Sequence, residues 1–199
     1  MTNPLSMRPL LTGMRGLPRG IWPRGIWAAF TAMVAVVTVS NVAVQVPINA
    51  WLTYGALSYP IAFLVTDLTN RAFGPDRARR VVYAGFAAAV VLSMVASTPR
   101  IAAASGAAFL LGQLTDVQLF HLLRKRVWWV PPLASSLTAS ALDTAAFFTL
   151  AFAGTGLPWP TWAVGDYGVK AGMALAMLVP FRVLLGRVHR LRPAASTSR

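Results

Sequence analysis

The chain has 199 residues and a mass of 21.3 kDa; 56% of it is hydrophobic, only 12% is charged, and its mean hydropathy is +0.60. A soluble domain is about a quarter charged, so this balance excludes an ordinary soluble enzyme, and six spans of about 20 residues each would leave only short loops and tails. The net charge of +13 and pI of about 11.8 would suit a nucleic-acid binder, but the basic residues sit between apolar stretches, where a membrane rim accounts for them and no nucleic-acid partner is called for.

Residues 1–26, rich in Gly, Pro and Arg, read as a disordered basic arm. Trp27 to Val46 is the first predicted span, too long for a secretory signal and without a small-x-small cleavage site, hence a retained anchor. The second runs from Leu52 to about Arg71, interrupted by Gly55, Pro60 and the polar run Thr66-Asp67-Leu68-Thr69-Asn70-Arg71. The third covers Val81 to Ser97, the fourth Ile101 to Phe120, the fifth Leu133 to Ala153 and the sixth Ala163 to Leu185. The expected fold is therefore all-α: a six-helix transmembrane domain over residues 27–188, followed by a cytoplasmic tail, 189–199.

Lys and Arg number four in the N-terminal arm, then none, four, one, three and none in successive connections, and five at the C-terminal end. Cytoplasmic loops retain positive charge, so this alternation predicts that both termini are cytoplasmic. Trp128 and Trp129, next to Arg124, Lys125 and Arg126, fit an interfacial aromatic belt.

The acidic residues are five aspartates, with no glutamate, and cysteine is absent. With two histidines beside basic loops, no metal site and no cofactor is expected. No GxSxG, HExxH or Walker pattern occurs, so the chain is read as no enzyme.

A charged side chain in mid-span costs about 2.5 to 3.5 kcal/mol on insertion scales and therefore faces an interior cavity or a partner. Thr-Asp recurs at Thr66-Asp67 and Thr115-Asp116, near the cytoplasmic ends of two spans of the same direction, so the two carboxyls are expected at similar depth; capping or pairing with Arg71 and Arg124 is the alternative. Asp143 falls about 18 Å along its helix, near the midplane, where Lys170 could neutralise it. Asp166 and Lys170 are spaced i, i+4 with the acid first, the favourable order on one helix face. Asn41 and Gln45 share that spacing on the first span, and Gln113 precedes Asp116 by three. Such amides should point inward, to a ligand or to a neighbouring helix. Gly112, Gly168 and Gly172 are candidates for close helix approach.

The order of motifs is what identifies the family. Ser40-Asn41 and Gln45-Val46-Pro47 come first, followed by Tyr54-Gly55-Ala56-Leu57-Ser58-Tyr59-Pro60. Then come Thr66-Asp67-Leu68-Thr69 with Arg71, Phe73-Gly74, and Ala78-Arg79-Arg80. Leu111-Gly112-Gln113 with Asp116-Val117, Asp143-Thr144, and Asp166-Tyr167 with Lys170 complete the series. Over about residues 30–185 the chain resembles the VUT family of queuosine precursor transporters. The resemblance implies multi-pass inner-membrane uptake of 7-cyano-7-deazaguanine and of its 7-aminomethyl form, for making a modified tRNA base. The basic N-terminal tail and the short turn between the third and fourth spans depart from that pattern.

A guanine-like edge presents N1–H and a 2-amino group as adjacent donors, which one carboxylate can accept together, while O6 and the nitrile need donors. Asp67, Asp143 and Asp116, in that order, are the candidate acceptors. Asn41, Gln113, Arg71 and Lys170 are the candidate donors, and Gln45, Asn70 and Asp166 complete the substrate-binding set. Tyr54, Phe147 or Tyr167 would wall the flat ring. Expected partners are the deazapurine, membrane lipid and a second copy in a homodimer; facilitated diffusion or proton coupling is expected for the transport step. The rivals are a substrate-binding subunit of a multi-component vitamin uptake system, and a structural or assembly membrane protein whose polar residues only knit helices.

Overall fold

The computed structural model describes residues 24–43, 47–49, 52–58, 60–96 and 98–190. The described residues are helical apart from turns and one small ribbon. Helix α1, Arg24–Ala43, carries no ionisable side chain after its first residue. Strands β1, Pro47–Asn49, and β2, Leu52–Thr53, pair antiparallel, with Pro47 opposite Thr53 and Asn49 opposite Leu52. Helix α2, Tyr54–Ser58, is five residues long, and Pro60 then caps α3, Ile61–Phe73.

The expected second span is thus a ribbon, a single helical turn and a 13-residue helix rather than one continuous rod. Proline is tolerated at a helix start but not inside one, and Pro60 divides the segment. At 1.5 Å per residue α3 is about 20 Å long, short of a hydrocarbon core of about 30 Å. Gly74 ends it at φ +88°, a conformation that disfavours any residue with a Cβ, and its N–H bonds Asn70 O at 3.0 Å.

Helix α4, Pro75–Ala96, begins at once and earlier than hydropathy suggests, because Pro75 and Asp76 suit a first turn while remaining polar. Helix α5, Pro99–Leu123, starts on Thr98, whose side chain accepts the Ile101 N–H at 3.4 Å. Helix α6, Val130–Phe152, has Pro131 and Pro132 in its first turn. Helix α7, Trp159–Arg190, has 32 residues and contains Pro180. Two of the described helical segments, Val130–Phe152 and Trp159–Gly186, are long and apolar enough to cross a membrane; Gly25–Ser40 is apolar but shorter.

Packing follows the small residues. A Cβ at Gly112 on α5 would lie 2.9 Å from Asp143 Cβ on α6, and one at Gly85 on α4 would lie 2.6 Å from Met33 Cγ on α1. These are the close α5–α6 and α1–α4 approaches. Gly168 and Gly172, expected to act alike, have nothing within 4 Å of their Cβ positions and make no such contact. One apolar core gathers Met33 and Val37 with Val81, Val82, Phe109 and Val117. A second joins Phe120 edge-to-face with Phe181 at 6.1 Å, next to Leu185.

Arginines hold the helix ends. Arg71 Nη1 donates to Arg124 O at 2.8 Å, and Arg182 lies 4.9 Å over the Trp128 ring, so the basic ends of α3, α5 and α7 gather at one end of the bundle. At the other end of α5, Arg100 donates to Leu150 O at 3.0 Å and Ala153 O at 2.7 Å, capping α6.

Gly112→Ala should lower the thermal stability of the purified protein by about 1 to 3 kcal/mol, since its methyl group meets a side chain rooted in a facing helix. Gly168→Ala should change stability by less than about 0.5 kcal/mol. Melting of both variants in detergent measures this, and equal behaviour of the two would contradict the assigned packing.

Candidate functional site

A cavity lies between α3, α6 and α7. Helix α3 contributes Pro60, Phe63 and Asp67 to its wall; α6 contributes Ser136 and Ser140; α7 contributes Lys170 and Phe181. Pro60 places the start of α3 directly at the cavity. The free volume is about 10 Å³, the room one water occupies. No group larger than a water fits there with the three helices as they stand.

Asp67 is 3% exposed and Asp116 0%. Asp67 lines the cavity, whereas Asp116, on α5, does not. Asp67 Oδ1 and both Asp116 oxygens lack a well-directed donor. The pairing with Arg71 and Arg124 weighed for these aspartates does not form: Arg71 caps α5 instead.

Lys170 Nζ donates to Asp143 Oδ2 at 2.6 Å and to Thr144 Oγ1 at 3.0 Å, and pairs with Asp166 Oδ2 at 2.7 Å. Thr144 in turn donates to Asp166 Oδ2 at 2.8 Å, closing a ring of three side chains, Lys170, Thr144 and Asp166, with Asp143 attached through Lys170. One ammonium thus serves two carboxyl groups. A buried charge is tolerable only when its partners are this complete.

The amides serve the helix interface. Thr66 Oγ1 lies 2.6 Å from Gln113 Oε1 and 3.0 Å from Ala62 O, and Asn70 Nδ2 donates to Val117 O at 2.7 Å. These bonds fasten α3 to α5, and neither Gln113 nor Asn70 lines the cavity. Asn41 lies on α1, but its side chain is outside the described set, as is Gln45 altogether. The three aromatic residues expected as walls are elsewhere: Tyr54 is exposed, Tyr167 is half-buried off the cavity, and Phe147 stacks edge-to-face on Phe148 and Phe152. Phe63 and Phe181 take that place.

Sequence reasoning passed over Ser135 and Ser136. The signal was present as a stripe of small and polar residues, Ser135, Ser136, Ala139, Ser140, Asp143 and Thr144, at i, i+1, i+4, i+5, i+8 and i+9, all buried on one face of α6.

Comparison with known proteins identifies the family. Residues 53–185 match the family model described as "Putative vitamin uptake transporter". The chain is 37% identical to the queuosine precursor transporter of Escherichia coli K12, over 75% of this chain and 81% of that one. It is 31% identical to the "Probable queuosine precursor transporter" of Haemophilus influenzae, over 83% of this chain and 88% of that one. A protein of the same description from Bacillus subtilis is 26% identical over 77% of this chain and 79% of its own length. No solved structure matches. With two thirds of its length matched by one family model and relatives aligned over most of theirs, the chain belongs to the vitamin uptake transporter family.

Proposed function

We propose that this protein imports queuosine precursors across the inner membrane, 7-cyano-7-deazaguanine and its 7-aminomethyl form, for modification of tRNA. The observation that carries the reading is Asp67, a buried carboxyl on a cavity wall where a helical segment is broken. The relatives named as queuosine precursor transporters supply the substrate class.

In this reading the cavity is the base site in its closed state. Asp67 accepts N1–H and the 2-amino group, Phe63 and Phe181 flank the ring, and the Ser136 and Ser140 hydroxyls meet its remaining polar edge. Lys170 and its carboxylate partners hold α7 against α6 and set the charge beside the base. The 7-cyano base is neutral, so the membrane potential exerts no direct pull on it. The step is facilitated diffusion or proton-coupled transport, and ATP plays no part.

The chain crosses the membrane six times in this reading, with α2 and α3 together forming one crossing and both termini in the cytoplasm. The gathering of the basic ends of α3, α5 and α7 at one end of the bundle supports it, because such loops remain on the cytoplasmic side.

Two outcomes are expected. Asp67→Ala leaves the donors of the base unpaired in a dry site, which costs roughly 1 to 3 kcal/mol, or about five- to 150-fold in affinity; Asp67→Asn, with one acceptor and an intrusive NH2, recovers only part of that. Uptake of labelled 7-cyano-7-deazaguanine by cells lacking their own transporter, normalised to inserted protein, measures it, and wild-type uptake by Asp67→Ala would refute the assignment. Reporter fusions after residues 50 and 157 should report the external side, and one at the C-terminus the cytoplasm; cytoplasmic activity at either of the first two sites would refute the six-span topology.

A further inference from the structure

We propose that the turn between α5 and α6, together with the neighbouring face of α7, binds one anionic phospholipid, whose phosphate is held by Arg182 and Arg126 and whose acyl chains lie on exposed valines of α7. None of these residues lines the cavity, so the site stands apart from the base site.

The turn is fixed by its own backbone. Arg126 N–H donates to Leu123 O at 2.8 Å, Val130 N–H donates to Val127 O at 3.0 Å, and the Arg124 carbonyl accepts from Arg71 Nη1 at 2.8 Å. Trp128 packs against Phe120, Phe181 and Leu185, and the Arg182 guanidinium lies 4.9 Å over its ring. A guanidinium held over an aromatic ring keeps N–H groups for an anion, and its planar fork matches a phosphate. Arg126 stands two residues before Trp128, and it, Lys125 and Arg182 are all exposed. The three cations therefore surround one rigid platform.

No acidic side chain of the protein is placed to neutralise them. The five aspartates are its whole complement. Asp143 and Asp166 hold Lys170, Asp76 holds Arg79, and Asp67 and Asp116 are buried. Among the described residues no ion pair reaches Lys125, Arg126 or Arg182. An anion at this platform comes from outside the chain.

The apolar surface beside the cations makes that anion a lipid rather than a free ion. Arg182 and Val183 stand one turn after Val179 on α7, so the three share a strip of its surface, and both valines are largely exposed. Leu122 and Val127, exposed as well, bracket the basic run 124–126. Apolar side chains that end in a group of cations fit a molecule with hydrocarbon chains below a phosphate. A zwitterionic headgroup brings its own cation to that phosphate, whereas phosphatidylglycerol does not, so the platform selects lipids of net negative charge.

The test is native mass spectrometry of the purified full chain in a neutral detergent, following retention of added phosphatidylglycerol and phosphatidylcholine. Wild type should hold one phosphatidylglycerol about tenfold or more tightly than phosphatidylcholine, and Arg182→Ala and Arg126→Glu should each weaken it about fivefold or more. Arg126 is exposed in a turn, so Arg126→Glu decides the matter even if Arg182→Ala does not fold. Arg77→Ala removes another cation that lies over a ring, 5.9 Å from the centre of Phe73 at the junction of α3 and α4. It should leave the affinity within about twofold of wild type. Equal retention of the two lipids, or equal weakening by Arg77→Ala, would overturn the site and leave only the general attraction of a basic rim. Displacement of phosphatidylglycerol by millimolar inorganic phosphate would overturn the lipid in favour of a small-anion site.

Discussion

Three aspartates and one lysine are buried between α3, α5, α6 and α7, with the half-buried Asp166 at their edge, and the low dielectric there demands close partners for charge. An ionised group taken from water into such an interior loses several kcal/mol of solvation, which only close, well-directed partners offset. Lys170 has three such partners, all within 3.0 Å, and they tie α7 to α6. Asp67 and Asp116 have no ion-pair partner among the described residues. The helix packing answers to these pairings: Gly112 is glycine because Asp143 must stand against α5, and the buried stripe of α6 is built of serine, alanine and threonine because hydroxyls must reach the acids on both sides.

The same constraint divides the polar residues by task. Gln113, Asn70 and Arg71 spend their hydrogen bonds on neighbouring helices and hold the frame, while Asp67 and Lys170 reach the cavity wall. Pro60 ends the preceding turn at that wall, so the broken segment and the acid that follows it two turns later belong to one construction. The space left is that of one water, so in the proposed function a base enters only as α3, α6 or α7 moves.

Much of this was legible in the sequence because a charge inside an apolar run is itself a signal. The i, i+4 spacing of Asp166 and Lys170 anticipated their ion pair, and the polar run around Asp67 marked the interrupted segment. Hydropathy misjudged the helix start at Pro75, where proline and a polar first turn begin the helix well before the apolar stretch at Val81 does. Three-dimensional choices were not legible. Phe63 and Phe181 face the cavity while Phe147 stacks on its neighbours, and nothing in residue type separates them. Likewise, that Asp67 and Asp116 meet no arginine depends on the register of α3 against α5, which Thr66 and Asn70 set through contacts 47 residues away.

The central claim is that Asp67 reads the donor edge of a deazaguanine. It is tested most directly by crossing ligand with residue: affinities of wild type and Asp67→Ala for 7-cyano-7-deazaguanine and for the analogue lacking the 2-amino group. The account predicts that loss of the amino group weakens binding to wild type by about tenfold or more and makes no further difference to Asp67→Ala. An equal penalty in both proteins, or none in wild type, would contradict it.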